Sequence, residues 1–169
     1  MKPKAAPLAI VPVADIPQAV DVSVDNLLPV FRTITQMEQL CTAQEGIGLS
    51  AVQVGIPWKL FIVQRGHGYE YYINCEYNGI GEKQKSIEGC LSLRDSQGNL
   101  RRFEVDRYSS IAVKGKQLKI SADSPSLVLD DVDRIEHDLY AVVFQHEIDH
   151  FFGRSKMIDI IGIEIEIST

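Results

Sequence analysis

The chain has 169 residues, 45% hydrophobic and 24% charged, with a formal net charge of −6. That length suits one domain with one core, and the acidic balance argues against direct nucleic-acid binding. No apolar run reaches the ~20 residues of a membrane span, and three cysteines (Cys41, Cys75 and Cys90) are too few and odd in number for a disulfide framework, so a cytoplasmic location is expected.

Four prolines, Pro3, Pro7, Pro12 and Pro17, punctuate the first 20 residues. Each disfavours helix in the residue before it, so an extended segment is expected, without the unbroken apolar centre of a signal peptide. From about Asp25 to Ala43, Leu27, Val30, Phe31, Ile34, Met37, Leu40 and Cys41 recur at three- and four-residue steps, the pattern of an amphipathic helix. Pro29 is tolerated only in a first turn, which places the start close to Asn26. The stretch EGIGLSAVQVG (45–55) reads as a glycine-punctuated loop. WKLFIVQR (58–65) and YEYYINCEY (69–77) are aromatic and β-branched, so they read as strands joined by a turn at Gly66, His67 and Gly68.

Short strands are expected at 103–114 and 117–122, and a weaker one at 126–130. A second helix is expected from Asp133, as its N-cap with Glu136 at the capping-box position, to a stop at Gly153. On it Ile135, Leu139, Val142 and Val143 form an apolar stripe that His146 and His150 continue, so both imidazoles should point inward. At the C-terminus Ile163, Ile165 and Ile167 alternate with Glu164 and Glu166, the period of a half-buried strand. The expected fold class is α+β: mostly antiparallel sheets around a buried helix, with a C-terminal strand rather than a helix, as a single domain over 1–169.

The chemistry concentrates in QHEIDH (145–150). A helix brings residues i and i+4 to one surface, so His146 and His150 can reach one ion. Glu147 then sits beside a water on that ion as a general base, the arrangement of HExxH zinc sites. Catalytic sites commonly carry three protein ligands and one open position. No histidine or cysteine follows His150, so the third donor is sought upstream. Cys90, in SIEGCLSL beside Gly89, is the attractive candidate, whereas Cys41 and Cys75 read as buried thiols. Two core histidines beside an exposed glutamate would be the bland alternative. His67 reads as a turn residue, His137 as solvated and Trp58 as packing. Asp149 reads as a residue that orients a ligand, pairs with an arginine or serves only the helix.

Three segments, GIGLSAVQ (46–53), EGCLS (88–92) and QHEIDH (145–150), closely resemble the signature motifs of peptide deformylases, in that family's order and at comparable spacing. The resemblance implies a divalent metal held by Cys90, His146 and His150 with water in the fourth position. Fe²⁺ is favoured over Ni²⁺, Co²⁺ or Zn²⁺. It further implies Glu147 as acid/base and Gln53 with the backbone N–H of Leu91 as oxyanion donors. The substrates would be N-formyl-methionyl peptides, with Ile47, Leu139, Val142 and Val143 lining a methionine pocket and Gly48 pairing with the peptide backbone. Arg101 or Arg102 would meet the substrate further along, or else be solvated. The chain departs from the family at Ser50, where alanine is usual, and at Arg94, close to a usual proline. It also lacks the opening proline-aspartate-arginine-leucine run and the long C-terminal helix with which one bacterial branch docks on the ribosome, so ribosome docking is left open. The alternatives are an HExxH metallopeptidase, with Asp159, Glu164 or Glu166 as third ligand, and a catalytically degenerate peptide-binding homologue.

Overall fold

The computed structural model of the protein describes residues 6–25, 27–120, 127–153 and 164–165. The expected amphipathic helix is α1, Leu28–Ala43, with Pro29 in its first turn; Asn26, its expected start, lies outside the described residues. Six strands follow the helix: β1 (Gly48–Ser50), β2 (Leu60–Arg65), β3 (Gly68–Arg94), β4 (Leu100–Ile120), β5 (Leu127–His137) and β6 (Glu164–Ile165). The second helix, α2, spans Asp138–Asp149 between β5 and β6. The strands form one sheet in the order β1-β2-β3-β4-β5, every pair antiparallel, with β6 pairing β4. None of the described helices is long and apolar enough to cross a membrane.

Period-two alternation sorts the core. On β2, Leu60 and Ile62 pack with Val30, Ile34, Met37 and Cys41 of α1, while Phe61 and Val63 pack with Ala141, Val143, Phe144 and Ile148 of α2. LFIV is therefore buried on both faces, with α1 against one and α2 against the other. Phe61, Tyr72 and Phe144 form an aromatic cluster on the α2 side, with ring centroids 4.8–5.2 Å apart.

Three expectations change. The strand at 69–77 extends into β3, and those at 103–114 and 117–122 join into β4, which is described as far as Ile120; both long strands bend at register shifts between Ile73 and Glu76 and between Ile80 and Lys83. Residues 13–15 form a single 3-10 turn within the N-terminal segment. The weak strand at 126–130 continues to His137, so Asp133 does not cap α2 and Glu136 is not in a capping box. Its pairing with β4, from Ile120↔Leu127 to Ser110↔His137, overrides the capping signal, and Ile135 stands 53% exposed on the strand. The C-terminal strand is present as Glu164–Ile165; Ile163 and 166–169 lie outside the described residues.

Glu136 has a different task. Its buried carboxylate accepts from Arg65 at 2.9 Å and from Arg134 at 2.8 Å, and the Arg65 guanidinium stacks 4.0 Å over Tyr140 in the first turn of α2. The cluster ties β2, β5 and α2 together just where the chain turns from strand to helix. Glu136→Ala leaves both arginines without this acceptor and is expected to lower unfolding stability by about 1–3 kcal/mol. Chemical denaturation checks this, and a change below ~0.5 kcal/mol, the size of an ordinary surface substitution, would count against it.

Candidate active site

Cys90 near the end of β3, His146 on α2 and His150 in the 3-10 turn that follows α2 are all buried, and their donor atoms lie within 4.8 Å of one another. His150 Nε2 stands 3.2 Å from His146 Nε2 and 3.5 Å from Cys90 Sγ. Ligands bound at ~2.0–2.3 Å in a tetrahedron lie ~3.3–3.6 Å apart. The two separations from His150 are those of neighbouring ligands in a tetrahedral site, and two nitrogens with one sulfur suit a transition metal.

His146 is aimed by a buried charge network that the sequence reading missed. Its Nδ1–H donates to Glu88 Oε2 at 2.8 Å, which leaves Nε2 to face the other two donors. Arg107 on β4 donates two bonds to Glu88, at 2.8 and 3.0 Å, and a third to Asp149, which also accepts from Tyr77 at 3.0 Å. Of the roles weighed for Asp149, pairing with an arginine is the one found. Two signals pointed here: Glu88 belongs to EGCLS, and Arg107 continues the inward alternation of Phe103 and Val105. Burial alone would raise the Glu88 carboxyl, but hydrogen bonds from His146 and Arg107 outweigh it and lower it to about 2. Burial opposes charge on His146, yet Cys90 and Glu88 outweigh it and hold its pKa well above the ordinary value. Burial and the neighbouring His146 push His150 well below it. A cation bound here would take the place of the His146 proton.

Glu147 is 4% exposed. Burial pushes its carboxyl up to about 7, against the opposing pull of His146 and Ser50. A carboxyl poised near neutrality suits a group that must take a proton and return it. Gly48 makes room for it: a Cβ there would stand 2.6 Å from Glu147 Oε1. The hydroxyl of Ser50 lies 2.9 Å from Glu147 Oε2.

Gln53 sits in a 3-10 turn, Ala51–Val54, directly after β1. Its Oε1 accepts from Ser50 N–H at 2.9 Å, which turns Nε2 toward Cys90 Sγ at 3.5 Å and Ser92 Oγ at 3.4 Å. Leu91 follows Cys90 where the regular register with β4 stops, between Gly89 and Arg94. Beyond it, Arg94 donates to Gly98 O and Gln44 Oε1, both at 2.7 Å, and ties the Asp95–Asn99 turn to the end of α1.

These groups open into a cleft of ≈ 350 Å³ lined by Gln53, Glu88, Cys90, Leu91, His146 and Glu147. Ile47, Gly48, Leu139, Val142 and Val143 line it too, as does Arg102, whereas Arg101 does not. Ser86, Ile87 and Leu100 also face the cleft and were not anticipated. Leu139 is 56% exposed and Ile47 40%, so these two stand at the rim, whereas Val143 is buried, and the four do not form one continuous inward stripe. His67 lies in the exposed turn between β2 and β3, and Trp58 packs against the α1 core. His137 is exposed and bonds Ser110 Oγ through Nδ1 at 2.8 Å. Asp159 and Glu166 lie outside the described residues.

The sequence model of the polypeptide deformylase family matches residues 18–161. Peptide deformylase of Carboxydothermus hydrogenoformans is 32% identical over 129 residues, covering 73% of this chain and 72% of that protein. Among solved structures, the peptide deformylase of Thermotoga maritima is similar with a TM-score of 0.71 at 27% identity, covering 94% of this chain and 100% of that one. That of Synechococcus elongatus, in complex with actinonin, has a TM-score of 0.68 at 25% identity, covering 94% and 87%. Motifs, fold and relatives agree, and the chain belongs to the peptide deformylase family.

Proposed function

We propose that Cys90, His146 and His150 hold the metal of this deformylase, that Glu147 moves the proton, and that Gln53 and Leu91 receive the developing oxyanion. The reaction is the family's own: metal-dependent removal of the N-formyl group from formyl-methionyl peptides. The observation that carries the assignment of residues is the convergence of three buried donor atoms within 4.8 Å of one another, with the buried Glu147 carboxylate on the same cleft. We take residues 1–169 as one catalytic domain, since a single sheet joins all the described strands. Three free, buried cysteines support a reducing cytoplasm.

A divalent ion, with Fe²⁺ preferred over Ni²⁺, Co²⁺ or Zn²⁺, supplies Lewis-acid chemistry that makes water a nucleophile near neutral pH. Glu147 takes the proton from that water and delivers it to the amine nitrogen, which leaves poorly until it is protonated. Gln53 Nε2–H and the Leu91 N–H donate to the formyl oxygen as it gains charge. Gln53 is pre-aimed, because Ser50 N–H already occupies its Oε1. β1 is an edge strand, so the backbone at Gly48 is free to pair with an extended peptide. Ile47, Leu139, Val142 and Val143 would receive the methionine side chain, the apolar part of the cleft.

Glu147→Gln is expected to keep the metal and lose at least ~10²-fold in kcat on a formyl-Met peptide. Full turnover in that variant would remove Glu147 from the mechanism. Elemental analysis provides the next check. Cys90→Ser should lose or exchange the metal, whereas Cys41→Ser and Cys75→Ser should retain it; unchanged metal in the Cys90 variant would overturn the ligand set. Glu88→Ala deprives His146 Nδ1–H of its acceptor and should weaken metal affinity ~10–100-fold. Competition with a chelator measures this, and an unaltered affinity would leave Glu88 with a purely structural part.

A further inference from the structure

The hydroxyl of Ser50 is fully buried and reaches one residue twice. Its Oγ lies 2.7 Å from the backbone carbonyl of Glu147 and 2.9 Å from the carboxylate Oε2 of the same residue, 97 positions away in the chain. One oxygen thus contacts both the backbone carbonyl and the carboxylate of Glu147. The contact spans two elements, the last residue of β1 and the last turn of α2. The opposite oxygen, Oε1, is the one closest to Gly48, where a Cβ would come within 2.6 Å of it. The two positions act on different oxygens: Ser50 holds Oε2, and Gly48, which lines the cleft with Glu147, leaves the space that Oε1 occupies.

We infer that Ser50 is a positioning residue, which anchors Glu147 Oε2 and so presents Oε1 to the cleft as the oxygen that exchanges the proton. The inference rests on Glu147 being the acid/base. A glutamate has three side-chain torsions, and without an anchor several of its rotamers would turn the carboxylate away from the reacting atoms. The hydroxyl limits them by bonding to the backbone and the carboxylate of one residue. Because the hydroxyl has only one hydrogen, it donates to one acceptor at a time, and the second acceptor 2.7 Å away keeps it satisfied while buried. Ser50 also donates its own N–H to Gln53 Oε1 at 2.9 Å. The same residue therefore sets the acid/base through its side chain and the amide donor through its backbone N–H, and that N–H bond stays in place on substitution, although the side chain also caps the 3-10 turn that carries Gln53.

The test is steady-state deformylation of a formyl-Met peptide by metal-loaded wild type, Ser50→Ala and Ser50→Thr, with metal content measured on each sample. Losing a hydrogen bond to a charged group should lower kcat of Ser50→Ala roughly tenfold. KM should stay within about twofold and metal content should not change, because the backbone bond that aims Gln53 survives. Ser50→Thr keeps the hydroxyl and should recover most of the loss, which a packing role alone would not produce. A kcat for Ser50→Ala within about twofold of wild type, a loss carried by KM, or a loss that follows metal content would each overturn the inference. Wild type without deformylase turnover would instead refute the catalytic reading of the site, and the two failures are thereby distinct.

Discussion

The site depends on one buried cation. Arg107 lies between two carboxylates, Glu88 and Asp149, and all three are almost wholly shielded from water. Two anions in that position would be strongly unfavourable alone, and Arg107 is what permits both. Each donor residue is tied to this group. Glu88 bonds His146 directly and precedes Cys90 by two positions, and Asp149 directly precedes His150. One guanidinium therefore fixes the strand that carries the sulfur and the helix end that carries both imidazoles.

The sheet explains how such distant residues meet. β3 and β4 run antiparallel over most of their length, which brings Glu88 on one beside the Arg107 region of the other. Their regular register ends at Gly89, just before Cys90, and resumes at Arg94. A strand that stayed in register would commit the Leu91 backbone to its neighbour. The break falls at Cys90 and Leu91, the thiol and the backbone N–H to which the proposed function gives a role. α2 closes the site from the other side, seated on the aromatic cluster of Phe61, Tyr72 and Phe144.

The local chemistry was legible in the sequence because it is short-range. His146, Glu147 and His150 lie on less than two turns, and EGCLS and GIGLSAVQ are contiguous, so a motif captures each. The helix α1 and the strand β2 were legible for the same reason, from unbroken periodicity. The start of α2 was not. DDVDRIEH satisfies a capping pattern and an alternating strand equally well, and only the β4 ladder decides between them. The great length of β3 also escaped notice, since Asn78–Ser86 carries glycines and charges that locally resemble a loop. In the structure Tyr108 covers Gly79 from the neighbouring strand: a Cβ there would lie 2.2 Å from its ring. Arg107 and Asp149 carry opposite charges 42 positions apart, and nothing local announces that pairing.

The site divides into an interior and a rim. Gln53, Cys90, His146, Glu147 and His150 are buried, whereas Ile47, Ile87 and Leu139 are exposed around the opening. The polar groups of the site are thus held in place by packing, and apolar surface is left open around them. At Gly46 a Cβ would lie 3.1 Å from Leu91 Cδ1 and 3.0 Å from Cys41 Sγ, so the chain packs closely behind the cleft. At Gly48 it would lie 2.6 Å from Glu147 Oε1. Glycine fits both positions without displacing a neighbour, so at these two points the wall of the cleft is backbone rather than side chain.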